Sequence, residues 1–290
     1  MTRGQLLDMG VHVLGAHDTS ILDAEVLLCY VLGETKEHLF AHASDEVADE
    51  NLEKLYIQYL NRVKIGEPIA YITGEKEFYG MDFLVNENVL VPRPETEMLV
   101  DKVLGFMREN FDNHGKFRVL DVGTGSGNIA VSIAKNSEDE GLDMIECIDA
   151  IDVSEEALEV ARENVLQHGV EDRVNVFYSN LLEDIDEDEV YDVIVANLPY
   201  IGTVTNGHVE ENVKEHEPNG ALFAGKDGLD LYKKLFQELK ERNMPWKLLV
   251  GEFGDGQLPD LENLLSKYFA QGWAIEKDLA GIPRMFVVFN

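Results

Sequence analysis

Cysteine is scarce in this chain of 290 residues, which has only Cys29 and Cys147. The two lie far apart, in segments that read as a buried helix and a strand. A disulfide framework is therefore excluded, and a reducing compartment fits. Basic residues are outnumbered as well: 24 Lys and Arg against 56 Asp and Glu give a formal charge of −32. A field of that sign repels phosphate backbones. The basic residues stand singly or in pairs such as Lys233-Lys234, so no local patch offsets the field and direct nucleic-acid binding is not expected. Because the acidic excess runs through the whole chain, solubility is its simplest meaning; attraction to a basic protein is the sharper one. Long apolar runs are missing too. No segment approaches the length of a membrane span, and Asp8 interrupts MTRGQLLDMGVHVLGAHD where a signal peptide needs continuous apolar residues. Repeats and low-complexity tracts are absent, apart from the acidic loop EDIDEDE at 183–189, which reads as a solvated turn. The expectation is a soluble, cytoplasmic protein. Its 45% of hydrophobic residues suffice for a sizeable core and its length for two domains.

Residues 1–74 read as helices only, forming a small all-α bundle. Ser20 opens SILDAEVLLCYVLG, with Asp23 in the manner of a capping box and Gly33 as the stop. Leu22, Val26, Leu27 and Tyr30 fall on one face of that helix. Thr35 and Ser44 are further N-cap candidates, and the second would open a longer helix carrying Leu52, Leu55, Tyr56, Tyr59, Leu60 and Val63. His38 and His42 stand one helical turn apart, but no third ligand accompanies them, so they read as surface histidines and no metal is expected. A change of texture follows: EKEFYGMDFLVNENVLVPRP suggests a β-hairpin linker over 75–93. Pro94 can then take the first position of a helix through ETEMLVDKVLGFMREN.

From about residue 116 onward strands and helices alternate. FRVLDV (117–122) and MIECIDAID (144–152) flank the helix IAVSIAK, and Ser154 caps EEALEVARENVLQHG with Leu158, Ala161 and Val165 inward. RVNVFYS, YDVIVAN and KLLVGEF read as further strands, with a helix at LDLYKKLFQELKER. Buried strands alternating with helices predict an α/β domain over 94–290, its parallel sheet covered on both faces. GWAIEKDL and RMFVVFN, separated by Gly281 and Pro283, would close it with an antiparallel hairpin.

Three segments carry chemistry. DVGTGSGN, Asp121 to Asn128, sits between a strand and a helix, where Gly123, Gly125 and Gly127 let a ligand approach the backbone closely. Dinucleotide sites use similar turns, but they leave the helix N-terminus free for a pyrophosphate. Asp121, placed directly before the glycines, suits a cationic ligand instead, and S-adenosylmethionine carries a sulfonium and an ammonium. Asp152 ends the next strand, where a carboxylate can accept both ribose hydroxyls of either cofactor; Asp149 competes for that role if the strand register slips. Asn197-Leu198-Pro199-Tyr200 follows YDVIVA at the carboxyl end of the sheet. An amide nitrogen is a poor nucleophile because its lone pair is delocalised into the carbonyl. Asn197 Oδ1 and the Leu198 carbonyl can accept its hydrogens and steer that lone pair. Pro199 holds Leu198 extended. The Tyr200 ring can lie against the acceptor, near a methyl of positive character.

At this point the chain resembles the HemK/PrmC family of peptide chain release factor glutamine methyltransferases. The likeness runs through GEPIAYITGEKEFYGMDFLVNENVLVPRPETEMLV, DVGTGSGNIA, NLPYI, EPNGALFAGKDGLDLY and DLAGIPR. PRPETE and the EP-x-x-AL-x-x-G-x-DGL pattern are far more specific than the glycine loop. The resemblance implies a helical docking domain, a hairpin linker and a class I (Rossmann-like) methyltransferase domain, for which a terminal antiparallel hairpin is typical. It implies S-adenosyl-L-methionine as cofactor, S-adenosyl-L-homocysteine as product, and the glutamine of the Gly-Gly-Gln loop of class I release factors as substrate. On this pattern Gly123, Thr124, Gly125, Ser126 and Gly127 form the cofactor loop. Asp152 is the ribose carboxylate, Asn180 and Leu181 lie beside adenine, Asn197, Leu198, Pro199 and Tyr200 hold the substrate, and Asn197 is also a cofactor-binding residue. Two positions depart from the pattern: Leu198 replaces a proline, and Asn180 replaces an aspartate. Rival functions are methylation of another protein glutamine, as on a ribosomal protein, an amino-directed nucleic-acid methyltransferase, and a binding module without turnover.

Overall fold

The computed structural model describes residues 1–15, 19–139, 142–202, 216–269 and 272–290. It divides into two compact units, Met1–Glu75 and a larger one beginning at Lys76; His216 joins the first. The first unit is built from α1 (Arg3–Leu14), α2 (Ser20–Leu32), α3 (Lys36–Ala41), α4 (Glu50–Lys64) and α5 (Ile69–Thr73). Thr2 caps α1 in a true capping box with Gln5, and Thr35 caps α3. Gly10 is required by packing: a Cβ there would meet the Tyr56 hydroxyl at 1.9 Å. That fully buried tyrosine crosses the bundle and donates to the Ala24 carbonyl at 3.1 Å.

Three expectations for this unit need correction. Ser20 is the first helical residue rather than the cap; Thr19 precedes it and spends its hydroxyl on Asp23 at 2.8 Å. Ser44 does not open α4, which Asp49 caps by accepting from the Asn51 amide. The face carrying Leu22, Val26 and Tyr30 points outward, with those side chains 54%, 40% and 47% exposed, while Ala24, Leu27, Leu28 and Val31 are buried. SILDAEVLLCYVL is apolar on both sides, so periodicity alone does not choose the buried one. His38 and His42 stack at 4.0 Å on the surface.

From Lys76 the larger unit takes in the hairpin of β1 (Glu75–Phe78) and β2 (Met81–Leu84), Glu75 itself belonging to the first unit. This hairpin packs into the larger unit. Phe78 and Phe83 enter the core, and Leu84 exchanges hydrogen bonds with the Asn164 side chain. Pro94–Thr96 make a 3-10 turn leading into α6 (Glu97–His114). Then come β3 (Phe117–Val122), α7 (Asn128–Asn136), the small antiparallel pair β4 (Glu138–Asp139) and β5 (Leu142–Asp143), and β6 (Ile145–Asp152). The chain continues through α8 (Glu155–His168), β7 (Val174–Tyr178), β8 (Val193–Ala196), α9 (Asn219–Leu222), α10 (Asp230–Arg242) and β9 (Leu248–Glu252). It ends with α11 (Leu258–Tyr268), β10 (Trp273–Lys277) and β11 (Pro283–Phe289). Sequence reading left α11 unassigned.

The seven-stranded sheet runs in the order β10-β11-β9-β8-β3-β6-β7. The five strands from β9 to β7 pair in parallel, and β11 joins β9 antiparallel, with β10 outside it. Alternation sends side chains to opposite layers. Phe117, Val119, Val193, Val195, Leu248 and Val250 pack towards α6 and α7, whereas Leu120, Val122, Ile194 and Leu249 pack with Phe236 and Leu261 of α10 and α11. Both faces are thus buried, as the continuous apolar strands required. Among the described residues, no helix is long and apolar enough to cross a membrane.

Candidate active site

Open parallel sheets bind ligands beyond their carboxyl edge, where strand order reverses. Here the segments following β3, β6, β7 and β8 meet at that edge around a cavity of about 400 Å³. Its wall includes Gly123, Thr124, Gly125, Ser126, Asp152, Asn180, Leu181, Asn197, Leu198 and Pro199.

The glycine loop is tied down by its own amides. Gly123 and Thr124 both donate to the Ile151 carbonyl at 2.9 Å, Gly127 donates to Thr124 at 2.9 Å, and Gly125 donates to Asp152 Oδ2 at 3.0 Å. Those N–H groups are spent internally and are not available to cradle a phosphate. Gly123 has φ of 76°, and a Cβ there would meet Leu198 Cδ2 at 3.0 Å. Glycine therefore satisfies both the left-handed backbone and the close approach of the loop after β8. Gly127, the N-cap of α7, has φ of 78° and lies against Ala161. It forms the turn without belonging to the cavity wall.

Asp121 is fully buried beneath the loop and is not part of the wall. Oδ2 accepts from the Thr124 hydroxyl at 2.7 Å, while Oδ1 has no partner among the described residues. Burial pushes its pKa up to about 7; the Thr124 and Ala130 hydrogen bonds oppose that rise and the Asp152 charge adds to it. The place of Asp121 before the glycines suggests a cofactor carboxylate; in the structure its carboxylate lies behind Thr124, which donates to it. Asp152 does reach the wall. Its carboxylate accepts from the Gly125 and Ser154 amides, each at 3.0 Å, leaving lone pairs towards the cavity. Burial raises its pKa, and amides including those of Ser154 and Gly125 work against that rise. Asp149 is occupied elsewhere, accepting from Tyr191 at 2.6 Å and Asn175 at 2.9 Å. Leu181, beside Asn180, holds φ of 55°, an unfavourable value for a branched side chain. The Ser179 hydroxyl fixes it by donating to its carbonyl at 2.6 Å.

Asn197 lies one residue past β8, whose Ala196 pairs with Gly251 of β9. Register therefore sets Asn197 beside Glu252. Asn197 Nδ2 donates to Thr96 Oγ1 at 3.2 Å, and Thr96 donates to Glu252 Oε2 at 2.6 Å. Asn197 Oδ1 is buried without a partner among the described residues. Tyr200 is turned away from the cavity wall: its hydroxyl donates to Glu252 Oε1 at 3.0 Å, and burial raises its pKa. Its carbonyl accepts from Gln257 at 2.7 Å, and Gly228 approaches so closely that a Cβ would meet that carbonyl at 2.0 Å. The DGL segment thus holds the loop after β8 in place. Tyr232 braces the same strand ends by donating to the carbonyls of Ala196 and Glu252. In the EP segment, Glu217 forms an ion pair with Arg93, which lies on the cavity wall.

Sequence reasoning assigned no role to Thr96, Glu252, Gln257 or Arg93. The signal available for Glu252 was a carboxylate ending the apolar strand LLVGE, since a charge in such a run needs partners. Arg93 and Thr96 sat in the specific PRPETE segment without a geometry to assign them.

Comparison with known proteins gives matches along the chain. Residues 5–74 match the PrmC N-terminal domain, and residues 96–222 match the methyltransferase small domain. A release factor glutamine methyltransferase of Koribacter versatilis is 37% identical, covering 99% of this chain and 98% of its own. One from Bacillus subtilis is 36% identical over 90% of this chain and 88% of its own. The N-terminal domain of human METTL16 in complex with SAH is similar in fold alone, at 16% identity and a TM-score of 0.52, covering 73% of this chain and 76% of that one.

Proposed function

Because the chain belongs to the release factor glutamine methyltransferase family, we propose that it transfers the methyl group of S-adenosylmethionine to a release factor. The acceptor is the side-chain amide nitrogen of the glutamine in the Gly-Gly-Gln loop. The observation that carries this reading is Asn197 Oδ1, a buried acceptor with no partner among the described residues, on a cavity wall. Buried acceptors are rarely left unpaired. A primary amide NH2 brings the donor this one needs.

The cavity suits the cofactor on three counts. Its volume falls within the usual range for small-molecule sites. The amides of Gly123, Thr124, Gly125 and Gly127 are already committed, and two carboxylates, Asp121 and Asp152, favour a cation. Asp152 would hold the ribose hydroxyls, Gly123 to Ser126 would enclose the methionine part with Gly127 shaping the turn behind them, and Asn180 and Leu181 would flank adenine. When bound, S-adenosylmethionine supplies an electrophilic methyl on a sulfonium.

The protein's own contribution is orientation. Asn197 Oδ1 and the Leu198 carbonyl accept the two amide hydrogens and turn the nitrogen lone pair out of conjugation towards the methyl. The methylated amide is strongly acidic, so its extra proton leaves without a dedicated base. Leu198 replaces a ring that would fix φ, yet its carbonyl remains an acceptor and Pro199 still restrains it. Leu198 Cδ2 fills the space over Gly123. Residues 1–74 carry the docking role, and the exposed Leu22, Val26 and Tyr30 give that unit apolar contact area.

The test sets acceptors side by side, using methyl-labelled cofactor with purified release factors, ribosomal proteins and DNA. Label is expected in release factors. A full-length factor should be used far better than a short Gly-Gly-Gln peptide, whose ordering cost is offset by little contact. Label confined to ribosomal protein or DNA would replace this reading with one of its rivals.

A further inference from the structure

An asparagine amide can present either its oxygen or its NH2 to a pocket, and only the oxygen serves an incoming amide donor. Something must choose between them. The Thr96 hydroxyl has a single hydrogen, and it is given to Glu252 Oε2 at 2.6 Å. What Thr96 Oγ1 has left are lone pairs, which take the Asn197 NH2 at 3.2 Å. The other carboxylate oxygen of Glu252 accepts from Tyr200 at 3.0 Å; an ionised carboxylate only accepts, so Thr96 must be the donor in its bond to Oε2. All four groups are on short paths: α6 begins directly after Thr96, and Glu252 ends β9 beside the end of β8.

We propose that Glu252 and Thr96 act as positioning residues, a directional relay that fixes the Asn197 amide with Oδ1 towards the acceptor. This inference rests on the reading of Asn197 given above. Glu252 touches no reacting atom in this scheme; it orders Thr96, and Thr96 orders Asn197. Tyr200 is the second anchor, tying the far end of the same loop to the same carboxylate. The relay explains why a fully buried carboxylate sits at the end of an apolar strand. It also gives the threonine of PRPETE a chemical task.

Thr96→Val keeps the shape of the side chain and removes the hydroxyl, freeing the Asn197 amide to turn over. Its kcat with a release factor should fall by about 10–100-fold, as for a displaced positioning group, while the Kd for S-adenosylmethionine by calorimetry stays near the wild-type value. Thr96→Ser restores the hydroxyl and should recover most of the lost rate, which a purely structural role for the methyl group would not do. Thr96→Ala removes the same hydroxyl together with the γ-methyl and puts no apolar group in the hydroxyl's place, so it stands in for Thr96→Val should that variant fail to fold. Wild-type turnover accompanied by equal turnover in the hydroxyl-free variants would overturn the relay alone. So would a serine variant as slow as the valine one. A wild-type protein that methylates no release factor would overturn the acceptor reading, and the relay with it.

Discussion

Asn197→Ala is expected to lower kcat on a release factor by about 10²–10³-fold, the usual cost of deleting one fixed group that acts on the transition state. Cofactor affinity should change little. The alanine removes the unpartnered Oδ1 and with it the acceptor for the substrate amide. It also releases the Thr96 hydroxyl from its donor. Neither loss touches Asp152 or the glycine loop, where the cofactor would sit. The interaction belongs to the transition state more than to cofactor binding, so the loss should appear in kcat. Single-turnover rates with saturating cofactor, together with calorimetric Kd values, separate the two effects. Rapid turnover in the variant would remove amide steering from the mechanism.

Asp152→Ala should weaken S-adenosylmethionine binding by at least tenfold. Hydrogen bonds to a charged group contribute about 1.5–3 kcal/mol each, and this carboxylate is positioned to accept from two ribose hydroxyls. The same carboxylate braces the Gly125 and Ser154 amides at 3.0 Å, so part of the loss comes from a loosened loop. Asp152→Asn separates the contributions, because its one remaining oxygen can brace only one amide while the charge is gone. Thermal unfolding without cofactor reports the loop, and titration calorimetry reports the ribose contacts. Affinity unchanged in both variants would take the ribose role away from Asp152.

Much of the fold was legible because its strands are buried on both faces. FRVLDV at 117–122 reads as a strand from its apolar run, and its bounds in the structure are the same. The glycine loop was equally plain, since a turn between a buried strand and a helix leaves few other uses for alternate glycines. The order of the strands is not written in any one segment; it follows from packing helices on both faces of a twisted sheet. What escaped was of two kinds. In α2 the apolar residues encircle the helix, so its outward face could not be told from its inward one. At the site, Thr96 meets Asn197 across 101 positions of sequence and Glu252 across 156. No spacing rule joins residues so far apart. The place of Asp121 before the glycines points to a carboxylate near the cofactor, but its depth is set by strand alternation, which puts the side chain in the layer beneath the loop.

The central claim is that one particular nitrogen receives the methyl group. A release factor incubated with this protein and S-adenosylmethionine, then digested and fragmented in a mass spectrometer, tests that claim at the level of the atom. The account predicts one added methyl group, located on the side-chain amide nitrogen of the glutamine in the Gly-Gly-Gln peptide. A methyl found on any other residue, or an unmodified glutamine alongside consumed cofactor, would contradict it.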